Sequence, residues 1–245
     1  MAALISTYSG YVALSFLPPL IWLLFYLHED RHPEPKHLIL LTFLAGVLAA
    51  AGAVVIELIF FGTPPVFSGL IHTFAPELLA YSTLVFIGVA AIEEYLKYAA
   101  VRITVLGRPE FDEPIDAMIY LITAALGFAA IENVIFLVPA FESSFLGGFE
   151  LTTNRFLGAN LLHALSSGIV GYALARHAFS PWRRHAIVVG LVGATTLHAL
   201  FNYLIIAKDV VPQSLILLAL LLVLAGVVVV VDFERLKKTT TILHT

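Results

Sequence analysis

The stretch IDAMIYLITAALGFAAIENVIFL, residues 115–137, decides the fold. At about 1.5 Å per residue it is long enough to cross a ~30 Å hydrocarbon layer. It nevertheless opens on Asp116 and carries Glu132 and Asn133 near its far end. Polar groups about 24 Å into a membrane helix must face protein or water rather than lipid. Gly127, Ala129 and Ala130 come just before them and are small enough to let another helix approach closely.

The rest of the chain has the same character. Of 245 residues, 60% are hydrophobic and only 12% charged, where soluble domains have roughly 45–50% and 25%. Mean hydropathy is +0.97. This composition excludes a cytosolic enzyme, a disordered chain and a collagen-like one. Thirteen basic against seventeen acidic residues leave a net charge of −4, which is no nucleic-acid footprint. Cysteine is absent, so thiol nucleophiles, disulfides and thiolate metal sites are excluded too.

Six more apolar stretches, at about 8–27, 38–61, 79–104, 156–176, 186–206 and 212–231, join the one at 115–139. The expected fold is therefore all-α: a polytopic transmembrane bundle of about seven spanning helices. Residues 1–245 form a single integral membrane domain, with its functional core at roughly 79–206. Pro18 and Pro19 should kink the first helix or mark where its regular part begins. The run AGVVVVV at 225–231 would suit a strand in water, but in lipid each backbone amide must be satisfied within the segment, so it reads as helix. The connection 62–78, with Pro64, Pro65 and Pro76, suggests a re-entrant or interfacial loop. No Lys or Arg precedes Arg31, so the first segment reads as a retained anchor rather than a signal peptide.

Basic residues set the expected orientation. A seven-crossing arrangement puts Arg31, Lys36, Arg102, Arg108, Arg176, Arg183, Arg184, Arg235, Lys237 and Lys238 on one side. Arg155 and Lys208 fall on the other, with Lys97 inside a helix. The positive-inside rule then puts the N-terminus outside and the C-terminus in the cytoplasm, in the cell membrane.

The intramembrane polar residues point to function. In VAAIEEYLKYAA, residues 89–100, Glu93 and Glu94 lie four and three positions before Lys97, so all three can share a face. Two adjacent acids in low dielectric repel, and Lys97 is the natural partner for one of them. The fifth stretch carries Asn160, His163, Ser166 and Ser167. The sixth has His198 and Asn202 one turn apart in TTLHALFNYLI. Counting along the helices puts Glu132, His163 and His198 at similar depth in the outer half, and Glu93 near mid-membrane. Asp116, at a helix start, suits a capping or dipole role. Glu57 reads as interfacial, near the outer end of its helix.

Carboxylates and imidazoles without a thiol or a marked serine suit the activation of water. A glutamate can take the proton of water and return it to a leaving amine, while His or Asn202 hydrogen-bonds the developing oxyanion. The same groups could hold Zn²⁺ instead, since two His and one Glu leave a position open for water. Spacing does not choose between the metal-free route and the zinc-dependent one.

Four segments together resemble the PrsW-type intramembrane proteases, relatives of the CAAX-processing endopeptidases. They are EDRHPEP at 29–35, EEYLK at 93–97, EFDEPIDAMIYLITAALGFAAIENVIF at 110–136, and the pair NLLHALSSGIVGYALA at 160–175 and HALFN at 198–202. The resemblance spans about 28–202. It implies an endopeptidase that cuts membrane-anchored proteins near the outer face, anti-sigma factors being the known kind of substrate. It places Glu93, Glu94, Lys97, Glu132, His163 and His198 on the family's functional positions. Carried over from the CAAX endopeptidases, it makes Glu93 the base, Glu94 an organiser of the site, His163 and His198 transition-state partners and Asn202 a donor; Lys97, Asp116, Asn133 and Asn160 are the expected supporting residues. Where many relatives have Trp-Asn, this chain has Phe201-Asn202, a change in packing more than in chemistry. The family has been described both as glutamate-type and as metallo-type. The resemblance therefore requires no cofactor and leaves zinc open.

Two other classes fit parts of the pattern. A proton- or ion-coupled transporter would string Asp116, Lys97 and Glu132 along a continuous path. A scaffold would seal the same charges in dry packing. The sequence is silent on oligomeric state.

Overall fold

The computed structural model describes residues 2–30, 32–61, 76–177, 183–208 and 211–243. These residues are almost entirely helical: α1 (Ala2–Leu27), α2 (Lys36–Phe61), α3 (Pro76–Thr104), α4 (Asp116–Ser143), α5 (Phe145–Leu157), α6 (Ala159–Arg176), α7 (Arg183–Ala207) and α8 (Ser214–Leu243). No strand occurs among the described residues, so the valine run at 227–231 lies inside α8, as the lipid argument requires.

Among the described residues, six spans are long and apolar enough to cross a membrane: α1, α2, α4, α5 with α6, α7 and α8. α3 carries five charged residues, Glu77, Glu93, Glu94, Lys97 and Arg102, and its end at Thr104 lies 3.4 Å from Thr42 near the start of α2. α2 therefore leads away from one face of the bundle and α3 returns to it. On that same face His32 meets Glu113 at 2.9 Å, Tyr120 donates to Glu34, and Lys237 pairs with Glu29. α3 thus runs between the same two faces as its neighbours.

α4 is the axis of the bundle. Every residue from Ile115 to Ala130 is buried, and α1, α2, α3, α5 and α6 all pack on it. The outer helices turn side chains such as Leu24, Leu48, Val189 and Leu224 outward, where lipid would cover them. Glycines set the closest approaches. A Cβ at Gly46 would overlap the Ala124 carbonyl, and one at Gly127 would overlap the Phe43 carbonyl, so the backbones of α2 and α4 touch at this crossing. Gly171 brings α6 against α4 in the same way, where an added Cβ would lie 2.6 Å from the Met118 Cα. The small residues here are used up in contact between backbones.

α1 runs through Pro18 and Pro19 without a break in helix assignment. Proline has no N–H, so Pro19 leaves the Ser15 carbonyl without its usual helical donor. The Asn133 amide supplies one at 3.0 Å, tying α1 to α4.

Two expectations change. The fifth stretch is a broken helix rather than one span beginning at 156. α5 packs Gly148 against Phe141 and Arg155 against Glu132, so it runs back down beside α4. Gly158 interrupts the helix, and α6 continues in the same direction. Sequence hides this because GGFELTTNR is too polar to look membrane-bound, while its buried side is satisfied by protein. Arg155, assigned to the outer surface, is turned inward for the same reason, with 11% of its side chain exposed. The proposed loop at 62–78 lies mostly outside the described residues, and its Pro76 opens α3.

Gly46→Ala and Gly127→Ala are expected to destabilise the protein by about 1–3 kcal/mol each, because a backbone has to move. Gly52→Ala, where an added Cβ meets nothing within 4 Å, should be neutral or slightly stabilising. Thermal unfolding of the three variants in detergent checks the contrast.

Candidate active site

Four helices deliver the expected acids and imidazoles to one place. On α3, Glu93, Glu94 and Lys97 share a face turned away from lipid, and Lys97 is fully buried. Its ammonium donates to Glu94 Oε1 at 2.8 Å and to His163 Nδ1 at 2.7 Å, and stands 3.5 Å from Glu93 Oε2. It also lies over the Phe128 ring of α4, 4.6 Å from the centroid, a favourable cation–π placement.

These contacts fix both histidine tautomers. Because Lys97 has only protons to give, His163 Nδ1 must accept, so Nε2 carries the hydrogen and donates to Glu132 Oε2 at 2.9 Å. His198 Nδ1 faces Glu94 Oε1 at 2.8 Å and must donate to it. Its Nε2 is then a free lone pair, 3.8 Å from Glu93 Oε2. Ser166 Oγ also donates to Glu94 Oε1, at 3.1 Å. That contact makes Ser166 a ligand of a carboxylate rather than a nucleophile beside a base. His163 and His198 meet edge to face, with ring centroids 5.1 Å apart.

The four acids fall into two kinds. Glu94 is neutralised by Lys97, and Glu132 by Arg155 at 2.9 Å. Arg155 is itself held by Asn133 Oδ1 at 2.6 Å, and the Asn160 amide donates to the Arg155 carbonyl at 2.8 Å and its Oδ1 accepts from Asn133 at 3.1 Å. Glu93 Oε2 and Glu57 Oε1 are buried without a hydrogen-bond partner, as is Glu94 Oε2, but Glu94 is held through its Oε1. Both line a cavity of about 30 Å³ between α2, α3 and α4, together with Ala53, Phe128, Glu132 and Ile135. That is room for one or two water molecules.

The expected residues divide accordingly. Glu93, Glu94, Lys97, Glu132, His163 and His198 converge. Asn133 and Asn160 hold Arg155 beside them. Asn202 is partly exposed one turn past His198 and is not among the residues hydrogen-bonded within the cluster. Asp116 stands at the opposite face, where its Oδ2 accepts the backbone N–H groups of Asp112 and Glu113 at 3.0 and 2.7 Å. It shares that face with Asp30 and Glu34, whose carboxyls burial pushes above their ordinary range. Sequence reading missed Arg155 and Glu57. Glu57 is only 5% exposed, not interfacial. Its position on α2, one pass before the two-glutamate motif, was the available signal, but a carboxylate near a helix end ordinarily reaches water.

Glu93, His163 and His198 each offer a ligand atom within 4.8 Å of the others. The donor types suit a catalytic zinc or similar divalent ion. Glu93 and His198 present free acceptors, whereas His163 would have to release Lys97 or Glu132.

The sequence profile described as "PrsW family intramembrane metalloprotease" matches residues 34–231. The chain belongs to the PrsW family. It is 30% identical to Protease PrsW of Geobacillus kaustophilus over 76% of this chain and 74% of that protein. It is 26% identical to Protease PrsW of Bacillus subtilis, over 75% and 76%. With Protease PrsW of Oceanobacillus iheyensis the identity is 24%, over 77% and 80%. No solved structure matches significantly. This PrsW-family protein is thus a membrane-embedded protease and a multi-pass protein of the cell membrane, acting on a protein substrate within the lipid bilayer.

Removing one partner of a buried pair leaves an uncompensated charge, so Lys97→Met is expected to cost about 3–5 kcal/mol. The double variant Lys97→Met/Glu94→Gln should recover most of that stability. Denaturation in detergent measures both, and a double variant no more stable than the single one would show that the pair is not the cause.

Proposed function

We propose that this protein hydrolyses peptide bonds of membrane-anchored proteins near the outer face, with Glu93 as the base toward a water in the cavity. One observation carries the reading: Glu93 lines a space the size of water, and its Oε2 is buried without a hydrogen-bond partner, 3.8 Å from the free Nε2 of His198. A water bridging these two acceptors points its own lone pairs at a substrate carbonyl. Its oxygen forms the bond to the carbonyl carbon and its proton passes to Glu93. When the C–N bond breaks, that proton goes to the leaving nitrogen. Glu94 accepts from Nδ1–H of His198 and fixes the ring, so that its free Nε2 accepts the water's second hydrogen and orients the water oxygen. Lys97 and Arg155 pair with Glu94 and Glu132, so these two acids organise the site.

If a divalent ion binds, Glu93, His163 and His198 would hold it, and it would supply Lewis-acid polarisation of water and carbonyl. The outer-face assignment rests on the basic residues gathered at the other face. Glu132 lies about 24 Å from that face along α4. Anti-sigma-factor-like proteins are the substrate kind the resemblance suggests. The transporter reading has less support. The described cavity touches neither Asp116 nor Lys97, and α4 is uniformly buried between Asp116 and Ala130.

With protein reconstituted in liposomes with a single-pass substrate, Glu93→Gln is expected to abolish cleavage while the protein stays folded. Cleavage at the wild-type rate would remove Glu93 from the mechanism. Elemental analysis of pure protein, with cleavage followed during chelator treatment, separates the two chemistries. Full activity at no bound metal fits the metal-free route, and loss restored by added zinc fits the other.

A further inference from the structure

The mechanism leaves one acid of the cavity wall unused. Glu57 sits on α2, across the cavity from α3, with its Oε1 free of any hydrogen bond and only 5% of the residue exposed. The nearby cations are committed, Lys97 to Glu94 and His163 and Arg155 to Glu132 and Asn133. The other cavity walls at this point are Ala50, Ala53, Val54 and Phe136. An unpaired carboxyl in such a wall is costly unless something it binds repays it.

The substrate of an intramembrane protease has a matching need. A membrane-spanning helix hides its peptide bonds in its own hydrogen bonds, so cutting it requires the local turn to unwind. The exposed N–H and C=O groups then have no water to pair with, and each costs heavily in hydrocarbon. A neutral carboxyl offers one donor and one acceptor, which is what a single peptide unit needs. Further up the wall, Pro139 deprives the carbonyl of Ile135, also a cavity residue, of its helical donor.

We propose that Glu57 is a substrate-binding residue that hydrogen-bonds the unwound backbone of the substrate beside the scissile bond, opposite Glu93. This rests on the cavity being where peptide hydrolysis occurs. The bond forms only once the substrate has unwound, so it lowers the barrier rather than tightening docking of the intact helix.

The test compares Glu57→Gln, Glu57→Leu and wild type in liposomes, using a single-pass substrate and a second one with Gly-Pro introduced next to the cut site. Gln keeps one donor and one acceptor, so it should stay within about threefold of wild type. Leu should lose about ten- to a hundredfold in kcat with KM little changed, the cost of an unpaired buried polar group. The Gly-Pro substrate, already unwound, should recover most of the loss for Leu. A role confined to folding would lower thermal stability and hit both substrates alike. Leu at wild-type rate, Gln as impaired as Leu, or equal loss on both substrates overturns the proposal. Glu93→Gln run alongside keeps the readings apart: normal cutting by that variant removes Glu93 as base, whereas failure of the Glu57 pattern with Glu93→Gln inactive removes Glu57 alone.

Discussion

The structure depends on neutralising charge where water is scarce. A lone ion buried in a bilayer costs several kcal/mol or more, and its pairing has to be built from neighbouring helices. Glu94 is the node. Its Oε1 accepts from Lys97 on its own helix, Ser166 on α6 and His198 on α7. One carboxylate therefore registers three helices against each other, and Lys97 extends the network to His163 and so to Glu132 on α4. Depth, rotation and tautomer of both histidines follow from those contacts.

Packing makes such a network possible. Carboxylate, ammonium and imidazole can meet only if their helices approach closely, and the glycines at 46, 127 and 171 bring α2, α4 and α6 into backbone contact. The broken span does the rest. A straight helix through 145–176 would send Arg155 along one continuous spiral with His163. The interruption at Gly158 instead lets Arg155 turn onto Glu132 from α5 while His163 reaches the same carboxylate from α6. Two donors on separate segments hold one acid.

The sequence revealed what depends on local periodicity and composition. The apolar stretches point to the membrane helices, because length and hydropathy are all that spanning requires, and six spans among the described residues meet that measure. Glu93, Glu94, Lys97, Glu132, His163 and His198 stood out because ionisable groups in apolar runs have few innocent explanations. What depends on tertiary contact stayed hidden. Arg155 looked like a surface cation because nothing local says which way it turns. Glu57 looked interfacial because distance from a helix end says nothing about whether lipid, water or a neighbouring helix lies beside it. Asn133 and Asn160 were visible as polar residues, but not as the clamp that orients Arg155.

The same electrostatics bear on what the centre can bind. Lys97 places a fixed positive charge 2.7 Å from one nitrogen of His163 and 3.5 Å from Glu93. Any divalent ion held by Glu93, His163 and His198 must lie beside that ammonium and be repelled by it, at short range in low dielectric. Glu94 offsets part of the repulsion, since its negative charge touches Lys97 directly. The lysine thus acts as a built-in competitor. It offsets part of the negative charge of Glu93 and its neighbours, and it would weaken the hold on a metal there. The EExxK spacing then has a physical reason: the second acid keeps the lysine in place, which leaves the first without a hydrogen-bond partner at Oε2.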